Sequence, residues 1–251
     1  MVVKSQIKLI KSLQQKKYRV RNRMFVVEGI KTVGELLKSP LRAYMVYATE
    51  ASNLEGNGGN IEMVSESDLK KMSGLATPNK VLGVFHIPRP EPIDYSDWVI
   101  ALDDVRDPGN LGTIIRLCDW FGIRHLICSL NSVDCYNPKT LQATMGSIGR
   151  VNIVYGDLQT VLEEAPTAVY GTFMDGAPVY GMPLPKAGIL LMGNEANGIS
   201  EGIGAMVHKR VGVPQFGAAT TESLNVATAT AILLSEVRRS GMELLESEID
   251  K

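Results

Sequence analysis

Apolar positions follow two regimes along the chain. In the first 86 residues, helix-period segments alternate with short apolar runs. Ile7, Ile10 and Leu13 recur at three-residue intervals, which predicts a helix over Ser5–Leu13. Met24–Val27 predicts a strand that runs into Glu28-Gly29, and Lys31–Lys38 predicts a helix closed by Ser39-Pro40. Tyr44–Ala48 and Val81–His86 read as strands and Asp68–Met72 as a helix. From Trp98 the alternation is cleaner. Strands are predicted at Trp98–Leu102, His125–Cys128, Val151–Val154, Val169–Phe173, Ile189–Met192 and Arg210–Val213. Between and after them fall helices at Leu111–Phe121, Pro138–Met145, Leu158–Glu164, Glu201–Met206 and Leu224–Arg239. Strands that alternate with helices predict an α/β fold with a mostly parallel sheet covered on both faces.

Ile87-Pro88-Arg89-Pro90-Glu91-Pro92-Ile93 carries proline at alternate positions, which excludes a helix and favours a stiff, extended connector. The expected organisation is a small α/β domain over residues 1–85, a linker over 86–96 and a larger domain over 97–251. Asn53–Asn60, rich in Asn and Gly, reads as a surface loop.

Charge changes this picture locally. A formal net charge of -1 argues against a wholly basic nucleic-acid binder. Yet Lys4, Lys8, Lys11, Lys16, Lys17, Arg19, Arg21 and Arg23 fall within the first 23 residues with no acid among them. A solvated helix face is one reading of that run, and an anion-binding surface is the other. Tyr18, within the run, reads as a base-stacking ring or a part-buried anchor. Cys118, Cys128 and Cys135 have no Cys-x-x-Cys spacing and read as buried, reduced thiols of a cytoplasmic protein. No apolar run approaches a membrane span, and no secretory leader is evident.

Candidate chemistry lies in three polar segments at the ends of apolar runs. The first is Asn110-Leu111-Gly112-Thr113-Ile114-Ile115-Arg116. Here Asn110 is an expected N-cap, and Arg116, six residues on, is expected on roughly the same side. The second is Gly193-Asn194-Glu195-Ala196-Asn197-Gly198-Ile199, following the apolar strand Ile189–Met192. A carboxylate placed there must be solvated or paired. The third runs from Val213-Pro214 to Glu222-Ser223-Leu224-Asn225-Val226-Ala227, with Ser223 expected to cap the closing helix. Each segment alone also reads as an ordinary turn or capped helix. In an open α/β sheet, however, such strand-end loops gather at one edge and build the ligand site. Neither a Gly-x-Gly-x-x-Gly nor a Gly-x-x-x-x-Gly-Lys-Ser/Thr fingerprint is present, so dinucleotide and nucleoside-triphosphate chemistry lack their signature.

In order, Asn-x-Gly-x-x-x-Arg, Gly-Asn-Glu-x-x-Gly-Ile and Val-Pro…Glu-Ser-Leu-Asn-Val-Ala resemble the three motifs of the SpoU (TrmH) family of RNA ribose 2′-O-methyltransferases, of the SPOUT superfamily. Ser5-Gln6-Ile7-Lys8-Leu9-Ile10 and Phe25-Val26-Val27-Glu28-Gly29 are similar to segments of the ribosomal-protein-like substrate-binding domain that many of these enzymes carry. The resemblance implies a sheet with a deep trefoil knot, S-adenosylmethionine as cofactor, no metal, a homodimer formed through the large domain, and RNA as partner. Ribosomal RNA is the first expectation and transfer RNA the second. It further implies cofactor contacts at Gly193, Gly198, Val213 and Leu224, and at Thr172 at the end of the preceding strand. Arg116 matches the catalytic arginine. Asn110, Glu195, Ser223 and Asn225 match the polar residues that order the catalytic site. Ala196 stands where the family often has glycine, so a positive φ there would force a different loop. Two other readings remain open: a non-catalytic RNA-binding protein on the same fold, and an enzyme with a different cofactor.

Overall fold

In the computed structural model, two sheets organise the chain. Residues 2–50, 54, 60–217 and 223–249 are described. Most of Asn53–Asn60, and residues 218–222 of the third polar segment, lie outside them.

The elements in chain order begin with helices α1 (Lys4–Ser12) and α2 (Lys16–Asn22), strand β1 (Met24–Glu28), α3 (Ile30–Lys38), β2 (Ala43–Ala48), β3 (Ile61–Met63), α4 (Glu66–Met72) and β4 (Val81–His86). There follow β5 (Val99–Leu102), α5 (Pro108–Trp120), β6 (His125–Ser129), α6 (Pro138–Thr144) and a short 3-10 turn at Ser147–Gly149. The chain ends with β7 (Asn152–Gly156), α7 (Leu158–Glu164), β8 (Val169–Pro178), β9 (Ile189–Met192), α8 (Glu201–Gly204), β10 (Lys209–Gly212) and α9 (Val226–Ile249).

These elements form two units. One comprises Met1–Arg89 together with Asp134–Arg150, and the other Pro90–Val133 together with Val151–Lys251. Spatial grouping thus divides the chain differently from the expected cut within residues 86–96 at one segment, Asp134–Arg150. That segment follows β6 in the chain but belongs to the N-terminal unit. Local periodicity carries its helix but not which core the helix joins.

The N-terminal sheet has the order β1-β4-β2-β3, with β4 antiparallel to both neighbours and β3 parallel to β2. Ile10 and Leu13 pack with Met24, Val26, Leu69, Met72 and Leu82 in its core. β3 was missed because three residues, Ile-Glu-Met, are too few to show alternation. The basic N-terminal segment is two helices rather than one, broken by the turn at Leu13–Gln15. Its charge run is also not uniform. Arg19 is buried, donates to the carbonyls of Leu13 and Gln14, and pairs with Asp134 at 2.6 Å. The other seven cations of the run are exposed, and Tyr18 is half-buried beneath the Lys17 ammonium.

A buried guanidinium without its carboxylate is costly, so Asp134→Ala is expected to lower unfolding free energy by about 3 kcal/mol. Arg19→Met removes the buried charge itself and is expected to cost clearly less. Denaturant titration of the two variants gives the comparison.

The C-terminal sheet has the order β10-β8-β9-β5-β6-β7, with every pair parallel. All of β5, β6 and β9 are buried, as a sheet covered on both faces requires. Val99, Ala101, Ile127, Val169, Ile189 and Leu191 share one core with Leu158 and Leu162 of α7. Because the strands are parallel, the ends of β5, β8, β9 and β10 leave the sheet at the same edge. No helix among the described residues is long and apolar enough to cross a membrane.

Candidate active site

The edge where these strands end carries the three polar segments, and one amide joins them. Asn110 Nδ2 donates to Glu195 Oε1 at 2.9 Å, and Asn225 Nδ2 donates to Asn110 Oδ1 at 2.8 Å. One side chain from each segment thus enters a single chain of hydrogen bonds.

Two caps differ from expectation. Asp107, not Asn110, caps α5, accepting from the Asn110 N–H at 2.8 Å. Pro108 at the helix start suits that position, since it has no N–H to satisfy. Asn110 is displaced into the first turn, which frees its side chain to bridge. At the other helix, Asn225 rather than Ser223 is the cap, its Oδ1 accepting from Ala227 and Thr228 N–H at 2.9 and 3.2 Å. Ser223 is exposed and makes no hydrogen bond to a described residue. Serine and asparagine cap helices about equally well, so the added bond from Asn225 to Asn110 accounts for the choice.

Glu195 is exposed and also paired. Besides Asn110 it faces the N–H groups of Arg106 and Asp107 at 3.4 and 3.3 Å, just before α5. A carboxylate there meets the positive end of the helix as well as its orphan donors. Asn194 shapes the loop that carries Glu195. Its Oδ1 accepts from the Ala196 and Asn197 N–H groups, and its Nδ2 donates to the Asp104 carbonyl at 2.7 Å. Asn194 and Gly198 close the loop through two backbone bonds of 2.9 Å.

Sequence reasoning passed over Asn194, Asp103 and Asp104. Asp103 is buried and accepts from the Ser200 N–H at 2.8 Å. Asp104 holds a left-handed φ of 58° and pairs with Arg106. The available signal was Asx-turn chemistry at Asn194 and an Asp pair ending an apolar strand. Ala196 is absent from the positive-φ residues, so alanine occupies this position without backbone strain.

Gly193 is a steric necessity, because a Cβ there would lie 2.2 Å from Gly198 C and 2.3 Å from Ile199 N. Gly198 takes φ 68°, and a Cβ on it would meet nothing within 4 Å, so the loop borders open space. Val213 follows β10 directly and is half-buried, and Leu224 is 48% exposed just before α9. Thr172 does not end its strand. β8 continues to Pro178, and Thr172 opens an excursion within it.

Arg116 lies outside the hydrogen-bonded cluster. Six residues at 100° each fall 120° short of two turns, so Arg116 does not share a side with Asn110. It belongs to an exposed stripe with Thr113 and Trp120 and forms no ion pair with another described residue. The histidines have local contacts of their own. His125 is buried against Asn152 and the Asp94 N–H, with burial lowering its pKa, and His208 accepts from the Val169 N–H. His86 is likewise held low by burial and by the nearby Arg42. Cys118, Cys128 and Cys135 are buried, and none is in a disulfide. Among the described residues no group of three or more His, Cys, Asp or Glu could hold a metal.

Comparison with known proteins fits this edge. Residues 97–235 match the SpoU rRNA Methylase family, and residues 4–83 match the MRM3-like substrate binding domain. The chain is 32% identical over 235 residues to the Bacillus subtilis protein named 23S rRNA (guanosine(2553)-2′-O)-methyltransferase RlmP, covering 91% of this chain and 94% of that one. A TrmH-family structure from Porphyromonas gingivalis superposes with a TM-score of 0.86 at 39% identity, covering 95% of this chain and 99% of the other. The AdoMet-bound rRNA methyltransferase from Sinorhizobium meliloti superposes with a TM-score of 0.82 at 31% identity, covering 95% and 96%. With three motifs tied together at one sheet edge and a family match over more than half its length, the chain belongs to the SpoU methylase family.

Proposed function

We propose that this protein is an S-adenosylmethionine-dependent RNA 2′-O-methyltransferase whose substrate is ribosomal RNA. The observation that carries the reading is the Glu195–Asn110–Asn225 chain, which unites the three motif loops beside open space at Gly198. The names of the similar Bacillus subtilis and Sinorhizobium meliloti proteins support ribosomal rather than transfer RNA.

The residues at this edge fit the cofactor. Strand-end backbone at Gly193, Gly198 and Val213, together with Thr172, offers donors and acceptors for the polar parts of a nucleoside, and Leu224 offers an apolar contact. When bound, S-adenosylmethionine supplies a methyl group already activated on a sulfonium, so no metal is needed. The chain's own residues position the acceptor. A ribose hydroxyl is a poor nucleophile, and it must be aligned and relieved of its proton. Arg116 cannot take that proton, because guanidinium stays charged at working pH. Its role is to hold a substrate phosphate by its planar fork, so that a phosphate oxygen accepts the hydroxyl proton. Asn110, Glu195 and Asn225 keep α5, α9 and the second loop in register, and Ser223 is assigned to the substrate side of the same edge. Reading a 2′-hydroxyl also distinguishes RNA from DNA.

The family relationship further supports a trefoil knot in the C-terminal unit and a homodimer through it. The dimer has added support in Trp120, 81% exposed on the outer stripe of α5. Three buried cysteines outside any disulfide support a reducing, cytoplasmic setting.

The test is methyl transfer from labelled cofactor to ribosomal RNA, with the product ribose mapped by its resistance to alkaline cleavage. Transfer to a 2′-oxygen supports the reading. No calorimetric binding of S-adenosylmethionine at millimolar concentration would favour a non-catalytic RNA binder instead.

Lys4, Lys8 and Lys11 form one exposed stripe on α1. Replacing all three with Gln is expected to lower RNA affinity and reduce the log–log salt slope by about two to three. Cofactor affinity is expected to stay unchanged. Filter binding across a salt series reads the slope, and an unaltered slope removes this stripe from the RNA contact.

A further inference from the structure

The outermost strand pair of the C-terminal sheet breaks register once. Arg210 of β10 pairs with Gly171 of β8, but the next residue, Val211, pairs with Ala177. Thr172–Gly176 therefore leave the ladder as a five-residue excursion, where an ordinary bulge has one extra residue. The excursion starts at Thr172 and lies at the same edge as Gly193 and Val213.

Its two ends are fixed by close backbone approach. A Cβ on Gly176 would lie 2.4 Å from Val211 C and O, and one on Gly212 would lie 2.5 Å from Phe173 O. Between these ends a single side chain spans the excursion. The Arg210 guanidinium stacks 3.5 Å from the Phe173 ring centroid, and its Nη2 also pairs with Asp175. Phe173 is partly buried and, with Ile203, Met206 and Val207, packs against the core that includes Val169, Leu191 and Ile199. Arg210 therefore covers a ring anchored in the core and holds the opposite limb of the excursion by its carboxylate. Planar stacking combined with ion pairing is available to arginine and not to lysine.

We propose that Arg210 is a positioning residue for the cofactor site, holding the Thr172–Gly176 excursion in the one shape that presents Thr172; this rests on the cofactor reading given above. Arg210 touches neither cofactor nor substrate. It acts through Phe173, the residue next to Thr172, and through Asp175.

The experiment uses the full chain, with calorimetry of S-adenosylmethionine, thermal unfolding and methyl-transfer kinetics run in parallel. Arg210→Ala is expected to weaken cofactor binding about tenfold, the combined worth of an exposed cation–π contact and a surface ion pair. KM for the cofactor should rise in step, with kcat within about twofold and Tm little changed. Arg210→Lys keeps the pair with Asp175 but loses the planar stack, and it should recover only part of the affinity. Parent-like binding by Arg210→Ala overturns the inference. So does a loss of binding that Arg210→Lys restores in full, or one in which kcat and Tm fall together. A parent chain that fails to bind S-adenosylmethionine at millimolar concentration overturns the functional reading itself, which separates the two failures.

Discussion

Replacing Arg116 with alanine is expected to lower methyl transfer roughly 100- to 1,000-fold, the usual loss when one preorganised charge at a reacting centre is removed. Cofactor affinity and Tm should remain those of the parent. The reason lies in the surroundings of Arg116. It is exposed on α5 and forms no ion pair with a described residue, so its removal breaks no ion pair with them. A side chain of that kind is free to meet a phosphate. Arg116→Lys keeps the charge and loses the fork, and is expected to fall between the two. Single-turnover transfer, together with calorimetry of the cofactor, reads both quantities. A variant that methylates RNA at the parent rate would falsify the role given to Arg116.

Gly193→Ala is expected to act from the opposite side, by removing the cofactor loop rather than the chemistry. The new Cβ would stand 2.2 Å from Gly198 C, 2.3 Å from Ile199 N and 2.6 Å from Gly198 O. All three are backbone atoms, so no rotamer change relieves the clash. The loop must open, which breaks the paired bonds between Asn194 and Gly198 and displaces Glu195 from Asn110. Overpacking of this kind costs about 1–3 kcal/mol, which in a chain of this size lowers Tm by a few degrees. Cofactor affinity should fall by more than about tenfold, since the backbone assigned to the cofactor moves with the loop. Gly202→Ala is the control. It adds a Cβ with nothing within 4 Å, on a helix, where alanine is favoured over glycine. Parent-like cofactor binding by Gly193→Ala would remove the loop from the cofactor site.

Much of this fold is legible in the chain because burial on both faces leaves a plain mark. β5 and β9 read as unbroken apolar runs and β6 as an apolar run between His125 and Ser129, and the helices that follow β5 and β6 begin at proline. What escaped was set by partners far away in sequence. The sequence predicts that β8 ends at Phe173, just before Asp175-Gly176 breaks the apolar run, and only pairing with β10 carries it to Pro178. Arg19 was indistinguishable from its basic neighbours, since its burial depends on Asp134, 115 residues later. At the site, the motifs identified which residues meet. They did not reveal that Asn110 bridges rather than caps, because Asp107 supplies an equally good cap one turn earlier. Nor did the spacing place Arg116, which helical geometry turns away from Asn110.

The discontinuous N-terminal unit sets an order on biogenesis. Leu141 and Ile148 are only 2% and 3% exposed, and both belong to the segment Asp134–Arg150. During synthesis, the N-terminal sheet is complete in sequence at His86, but its last buried pieces arrive some 60 residues later, after β5, α5 and β6 have been made. Until then the unit carries an unfilled apolar face, and a single-site truncation near the proline-rich stretch leaves it permanently unfilled. Native-state proteolysis of ribosome-bound chains of increasing length should therefore show protection of the N-terminal sheet appearing only once residue 150 has cleared the exit tunnel.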